Sequence, residues 1–291
     1  MGRVLKAIGF NNSVRIYVID STDIVEYARL NHGLWPLASV AFGRLLTITS
    51  LMGNMLKNDQ KLTIRFNGDG PLGRMLTASD EKGNVRGYVE NPQIHLYNDK
   101  KKKLEVALAV GNGTITVSKD LGLKAPYVSQ CDILDGEIST DMANYFLTSE
   151  QTYTTVSSGV LVQTDNSIIA AGGLIIQLLP NCKEEIITLL EERLSNVGSI
   201  SRLIESKISL EEIIQKVCYD DYQILEEGFS TYKCDCSRER FINGLKTLSE
   251  QDLLEMINDG KSIETVCNFC NKTYEFTIEE LSKILKEKQN N

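Results

Sequence analysis

Histidine is nearly missing from this chain: among its 291 residues only His32 and His95 occur. Catalysis built on imidazole therefore has little material. Proline is scarce too, with 5 residues, which excludes collagen-like and proline-rich disordered organisation. No apolar run approaches the roughly 20 residues of a membrane-spanning helix. The opening Met1-Gly-Arg-Val-Leu-Lys-Ala7 enters a strand-like pattern directly, without the apolar stretch and cleavage site of a secretory signal. The expectation is a cytoplasmic protein with no membrane partner. Positive charge is also in deficit, with 31 Lys and Arg against 39 Asp and Glu, a net of −8. That balance disfavours nonspecific nucleic-acid binding, which is driven by neutralising phosphates.

What is present is ordinary for a globular chain, with 42% hydrophobic and 24% charged residues. The charge is unevenly spread. Residues 1–180 are neutral, residues 181–230 carry 5 basic against 11 acidic side chains, and residues 231–291 carry 9 against 11. The local patterns change at the same places. Residues 1–180 read as a mixed α/β core domain with antiparallel sheet. Val14–Ile19 alternates, Ser21 or Thr22 caps a helix to about Asn31, and Leu37–Leu56 is a long apolar core helix behind Pro36. Lys61–Phe66, Arg74–Ser79 and Val85–Val89 form a meander with glycine-bearing turns, and Leu104–Val110 and Thr114–Val117 read as a hairpin around Gly111-Asn-Gly113. Ser139–Ser149 reads as a helix, and Val156–Val162 and Ile168–Leu179 as strands.

Residues 181–230 read as a helical linker. Asn181 with Glu184 opens a first helix, Ser199–Lys207 a second, and Ser209 with Glu212 makes a capping box for a third to about Cys218. Helices this short rarely hold alone in water. Their apolar faces, Ile186–Leu194 and Ile208–Ile214, read equally as ordinary core and as a concealed binding surface. Residues 231–291 form a small module: helices at Ser237–Leu248 and Ser249–Ile257, strands at Ile263–Val266 and Tyr274–Thr277, and a last helix capped by Thr277 and Glu280. The fold class expected is therefore α+β, with a core domain, a helical linker and a small C-terminal metal-binding module.

Seven cysteines occur, and four of them are paired: Cys234-x-Cys236, a gap of 30 residues, then Cys267-x-x-Cys270. Two close pairs in a small module are the usual layout of a tetrahedral thiolate site, and soft thiolates suit zinc. The bland alternative is two unrelated thiol pairs. A module of about 60 residues has little core, so a bound Zn2+ would supply folding free energy on the order of 10 kcal/mol. Zinc holds its cysteines as thiolates, the reactive form. Oxidising one pair would remove two ligands and release the ion. Spacing alone does not separate such a switch from an inert structural zinc.

The chain resembles the heat shock protein 33 family, the redox-regulated 33-kDa chaperonins of bacteria. Cys234-Asp-Cys-Ser-Arg-Glu-Arg240 is similar to the family's first cysteine motif, and Val266-Cys-Asn-Phe-Cys-Asn271 with Tyr274-Glu-Phe276 to its second. Gly68-Asp-Gly-Pro-Leu-Gly73, Val85-Arg-Gly-Tyr-Val89, Ser149-Glu-Gln151, Ala171-Gly-Gly-Leu174 and Gln177-Leu-Leu-Pro180 extend the likeness over essentially the whole chain. Tyr153 departs from the pattern, since many members carry proline near there; this touches local loop geometry only. The resemblance implies a non-enzymatic, ATP-independent holdase, silent when reduced and zinc-loaded through Cys234, Cys236, Cys267 and Cys270. Oxidants would form disulfides, by analogy Cys234–Cys236 and Cys267–Cys270, release zinc, unfold the module and loosen the linker. The active form would be a homodimer that binds unfolding client proteins under stress.

Other features read more plainly. Gly68–Gly73 lacks the Lys-Ser/Thr of a phosphate-binding loop and reads as a β-turn. His32 and His95 read as polar structural residues, Lys100–Lys103 as a solvated loop, and Cys131, Cys182 and Cys218 as isolated thiols. Two other functions compete. A nucleic-acid binder with a zinc ribbon is opposed by the negative module. A Cys-x-x-Cys oxidoreductase would need a thioredoxin-like βαβ context around Cys267, which the sequence does not offer.

Overall fold

Alternation of apolar and polar residues sets the first elements. The structure, a computed structural model, describes residues 1–98, 103–180 and 182–289. Strands β1 (Gly2–Gly9) and β2 (Val14–Asp20) form a hairpin, followed by helices α1 (Thr22–His32) and α2 (Pro36–Gly53). A meander of β3 (Lys61–Gly68), β4 (Arg74–Asp80) and β5 (Val85–Val89) comes next. Then follow the short β6 (Tyr97–Asn98) and β7 (Lys103–Leu104), α3 (Val106–Val110), β8 (Gly113–Asp120), β9 (Tyr127–Asp132) and α4 (Ser139–Ser149). The long strands β10 (Thr154–Val162) and β11 (Ile168–Leu178) lead into α5 (Glu184–Val197), α6 (Ile200–Glu205), α7 (Leu210–Cys218) and β12 (Tyr222–Ser230). The last part holds α8 (Arg238–Leu245), α9 (Glu250–Asn258), β13 (Ile263–Val266), β14 (Thr273–Phe276) and α10 (Ile278–Gln289). The α+β reading thus holds.

The chain divides into two compact units, Met1–Lys233 and Cys234–Asn291. In the first, two antiparallel sheets of five strands run in the orders β10-β11-β2-β1-β12 and β5-β4-β3-β8-β9. Helix α2 packs against strands of both sheets and is buried along almost its whole length. Its length and composition would suit a membrane, but 89% of it is enclosed by the protein. Its four buried hydroxyls are all answered: Ser39 donates to the Leu34 carbonyl at 3.5 Å, Thr47 to Gly43 at 2.8 Å, Thr49 to Leu45 at 2.7 Å and Ser50 to Gly83 at 2.7 Å. A buried hydroxyl left unpaired would cost about 1–3 kcal/mol. Gly43 permits the close crossing, since a Cβ there would sit 2.6 Å from Val25 Cγ1.

Helices α5, α6 and α7 close the other face of the first sheet. Leu190, Val197, Ile200, Ile204, Ile213 and Ile214 join Leu5, Val18 and Leu174 in a second apolar cluster. The apolar faces at Ile186–Leu194 and Ile208–Ile214 are thus covered rather than exposed. Two sequence readings need correction. Residues 181–230 are not helical throughout, because Tyr222–Ser230 is the edge strand β12, paired with β1 from Gly2↔Ser230 to Gly9↔Tyr222. The contacts place residues 181–230 inside the first unit. Val106–Val110 is a helix, not a strand, so Gly111-Asn-Gly113 joins a helix to β8 instead of closing a hairpin. A short apolar run does not tell helix from strand, and two alanines in five residues favour the helix.

Smaller expectations fare variously. Ser21 stands before α1, yet its hydroxyl pairs with Thr47 Oγ1 at 2.7 Å instead of capping the helix. Gly68–Gly73 closes as a turn, with Gly73 N donating to Gly70 O at 3.0 Å. Asn181 and Lys100–Lys102 lie outside the described residues, while Lys103 belongs to β7. His32 pairs with the Tyr232 hydroxyl at 2.9 Å, a structural role.

Candidate metal centre

Two local structures carry the paired cysteines. Cys234 and Cys236 lie in the extended segment just before α8, whose first turn is capped by Ser237 accepting from Arg240 N at 3.3 Å. Cys267 and Cys270 lie in the tight turn that joins β13 to β14. There Cys267 N donates to Lys272 O at 3.0 Å, and both Cys270 N and Asn271 N donate to Cys267 O, at 3.2 and 2.7 Å. Asn271 adopts φ of 53°, a left-handed conformation that asparagine tolerates. The turn therefore points both thiols to one side. Beneath it lies a small core of Leu245, Leu253, Tyr274, Phe276, Leu281, Ile284 and Leu285.

The four sulfurs converge, all within 4.8 Å of one another. Cys234 and Cys267 Sγ are 3.7 Å apart, and Cys236 and Cys270 Sγ 3.3 Å. Four sulfurs about 2.3 Å from a central ion would stand about 3.8 Å apart, so this cluster fits one tetrahedral metal ion. Both of these short gaps join one sequence pair to the other, and all four sulfurs lie within reach of one another, so proximity does not select a disulfide pairing. All seven cysteines are free thiols. Cys131, Cys182 and Cys218 lie outside the cluster, and burial pushes the Cys218 thiol up to about 12, an inert setting.

Electrostatics within the cluster are uneven. Burial raises the pKa of Cys234 and of Cys270. Cys236 is lowered despite its own burial, because hydrogen bonds from Tyr274 and the neighbouring thiols favour its thiolate. Arg240 stands beside the site, paired with Asp235 at 2.8 Å, and feels the sulfurs of Cys234 and Cys236. The residue that sequence reasoning passed over is Tyr274, whose hydroxyl lies 3.3 Å from Cys236 Sγ. That contact raises the tyrosine to about 12. A signal was available: strand alternation puts Tyr274 and Phe276 on the buried face, and a buried tyrosine hydroxyl requires a partner.

The family model described as Hsp33 protein matches residues 2–277 of this chain. The chain belongs to the Hsp33 family. The 33 kDa chaperonin of Bacillus pumilus is 44% identical over 288 residues, covering 99% of each chain. That of Bacillus subtilis is 43% identical over 282 residues, covering 97% of each. A crystal structure of the 33 kDa chaperonin from Thermotoga maritima, a heat shock protein 33 homolog, matches with a TM-score of 0.93 at 35% identity over 99% of both chains. The Hsp33 likeness thus spans both units, and the four-sulfur cluster sits within the matched stretch.

Proposed function

We propose that this Hsp33-family chain is an ATP-independent molecular chaperone of the holdase type, gated by oxidation, and not an enzyme. The chaperone reading rests on the full-length relatives named 33 kDa chaperonin. The gating reading rests on one observation: four free thiols within 4.8 Å of one another, in a unit whose own apolar core is small. In the reduced state Cys234, Cys236, Cys267 and Cys270 hold one Zn2+, which supplies much of the second unit's folding free energy. Zinc fits because the donors are four soft thiolates in near-tetrahedral spacing.

Peroxide converts a thiolate to a sulfenic acid, which condenses with a neighbouring thiol to give a disulfide and water. Each disulfide removes two ligands, and the pairs Cys234–Cys236 and Cys267–Cys270 take all four. Zinc leaves and the second unit loses its support. The segment 181–230 then loosens and uncovers the apolar faces of α5 and α7, the surface offered to unfolding clients. Thiol reductants and zinc restore the silent form. The active form is a cytoplasmic homodimer, with neither nucleic acid nor membrane as partner; the charge of −2 on residues 231–291 becomes −4 with Zn2+ and four thiolates.

The test is light scattering of a chemically unfolded client diluted into buffer, with the chain added reduced and zinc-loaded or after warm peroxide treatment. Suppression by the oxidised sample alone is expected, with peptide mapping locating the two disulfides. Suppression by both samples would reduce the zinc to a structural role. Suppression by neither would remove the chaperone reading.

A further inference from the structure

The four sulfurs do not have equivalent surroundings. Cys234 Sγ accepts from the backbone N–H of Cys236, and Cys270 Sγ from that of Lys272. Cys236 is served instead by a side chain, the hydroxyl of Tyr274 at 3.3 Å. That ring is held firmly. It is 7% exposed, tilts against Phe241 with centroids 4.8 Å apart, and lies under Lys272 Nζ at 5.2 Å. Strand β14 fixes its backbone, where Thr265 stands opposite Tyr274. Two contacts around the ring and the strand pairing beneath it thus aim one hydroxyl at one sulfur.

We propose that Tyr274 is a positioning residue for the metal centre, whose hydroxyl donates to Cys236 Sγ and makes that sulfur a poorer nucleophile while it is bound to metal. This rests on the metal reading given above. The chemistry is simple. A metal-bound thiolate reacts through its remaining lone pairs. A hydrogen bond to charged sulfur draws on that electron density and occupies one direction of approach. When an electrophile such as iodoacetamide meets Cys236, the sulfur lone pair forms the S–C bond and iodide leaves with the C–I electron pair. Removing the hydroxyl frees the lone pair and leaves the two ring contacts intact. The tyrosine therefore sets how readily this ligand is lost, without being a ligand itself.

The test is Tyr274→Phe in the full chain, zinc-loaded and reduced. Limited iodoacetamide treatment followed by mass spectrometry reads each cysteine separately. Alkylation of Cys236 relative to Cys267 should rise about 3- to 10-fold, the range expected when one hydrogen bond of ordinary strength is lost. A uniform rise at all four cysteines would mean general loosening and would overturn the proposal, as would no rise. Cobalt substitution gives a second readout. The sulfur-to-cobalt charge-transfer band should move to lower energy in the variant, since an unbonded thiolate gives up its electron more easily. Cobalt uptake with an unmoved band sinks the role of Tyr274 alone. No cobalt uptake by the unmodified chain sinks the metal reading and this proposal with it.

Discussion

The two units keep their shape by different means. In the first, apolar residues from Val4 to Ile175 form one cluster around α2, and a second cluster seats α5 to α7 on the first sheet. In the second, seven buried apolar residues serve a unit of nearly sixty residues. Small cores rarely supply more than about 3–5 kcal/mol, so a chain of that size needs a further staple. The four-sulfur cluster has the geometry for such a staple, a bound metal ion. On the proposed function, the difference teaches that one polypeptide can carry a core around α2 held by burial alone and a smaller part whose folding awaits its metal.

The sharpest way to break this comparison is to take the metal away. A strong chelator applied to the reduced protein should cost the second unit on the order of 10 kcal/mol. Amide hydrogens of α8, α9, β14 and α10 should then exchange freely while those of α2 keep their protection. Retained protection in both units would mean that the second core suffices by itself.

Matched truncations sharpen the comparison further. Phe42 and Phe276 are both fully buried, one in each unit. Phe42→Ala and Phe276→Ala should each cost about 3–5 kcal/mol. In the first unit the loss should show as a lower melting temperature. In the second, where the proposed zinc site would make folding and metal binding one event, zinc affinity by chelator competition should fall on the order of a hundred- to a thousand-fold. An unchanged affinity in Phe276→Ala would separate that core from the site.

The smallest effect lies at the border strand. Arg3 donates to Glu211 on α7 and to Glu227 on β12, tying both to β1. The hydrogen bond from Arg3 holds the Glu211 carboxyl below its usual pKa. A depressed carboxylate contributes stability above its unfolded value, near 4.3, and that contribution fades as pH falls through the folded value. Arg3→Met should therefore lower stability by less than about 1 kcal/mol at pH 7, both partners being about a third exposed. The gap between variant and unmodified chain should close on acidification toward pH 3. A gap that persists there would assign the effect to packing.

Legibility followed the strength of the local pattern. Ser139–Ser149 and Ile263–Val266 occur where periodicity placed them. The Ser209–Glu212 capping box is made in full, with Glu212 N donating to Ser209 Oγ at 3.2 Å. The cysteine pairs were legible because thiol spacing is a sparse, specific signal. β12 was not. Its side chains are mostly exposed on both faces, so Tyr-Gln-Ile-Leu-Glu-Glu-Gly-Phe-Ser carries no alternation, and only its partner β1, far away in sequence, makes it a strand. β9 escaped for the same reason, being an edge strand whose residues are largely exposed. Tyr274 was visible as a motif residue on a buried strand face, but which group its hydroxyl meets across a folded turn has no sequence signature.

The pairing of β1 with β12 also has a meaning in time. Gly2 finds its partner in Ser230, more than two hundred residues later. At roughly 10 residues per second of synthesis, the first strand emerges some 20 s before the strand that will border it. During that interval β1 is a nascent edge, rich in apolar side chains and without its neighbour. A newborn chain of this protein therefore spends its first seconds exposed to sticking and mispairing.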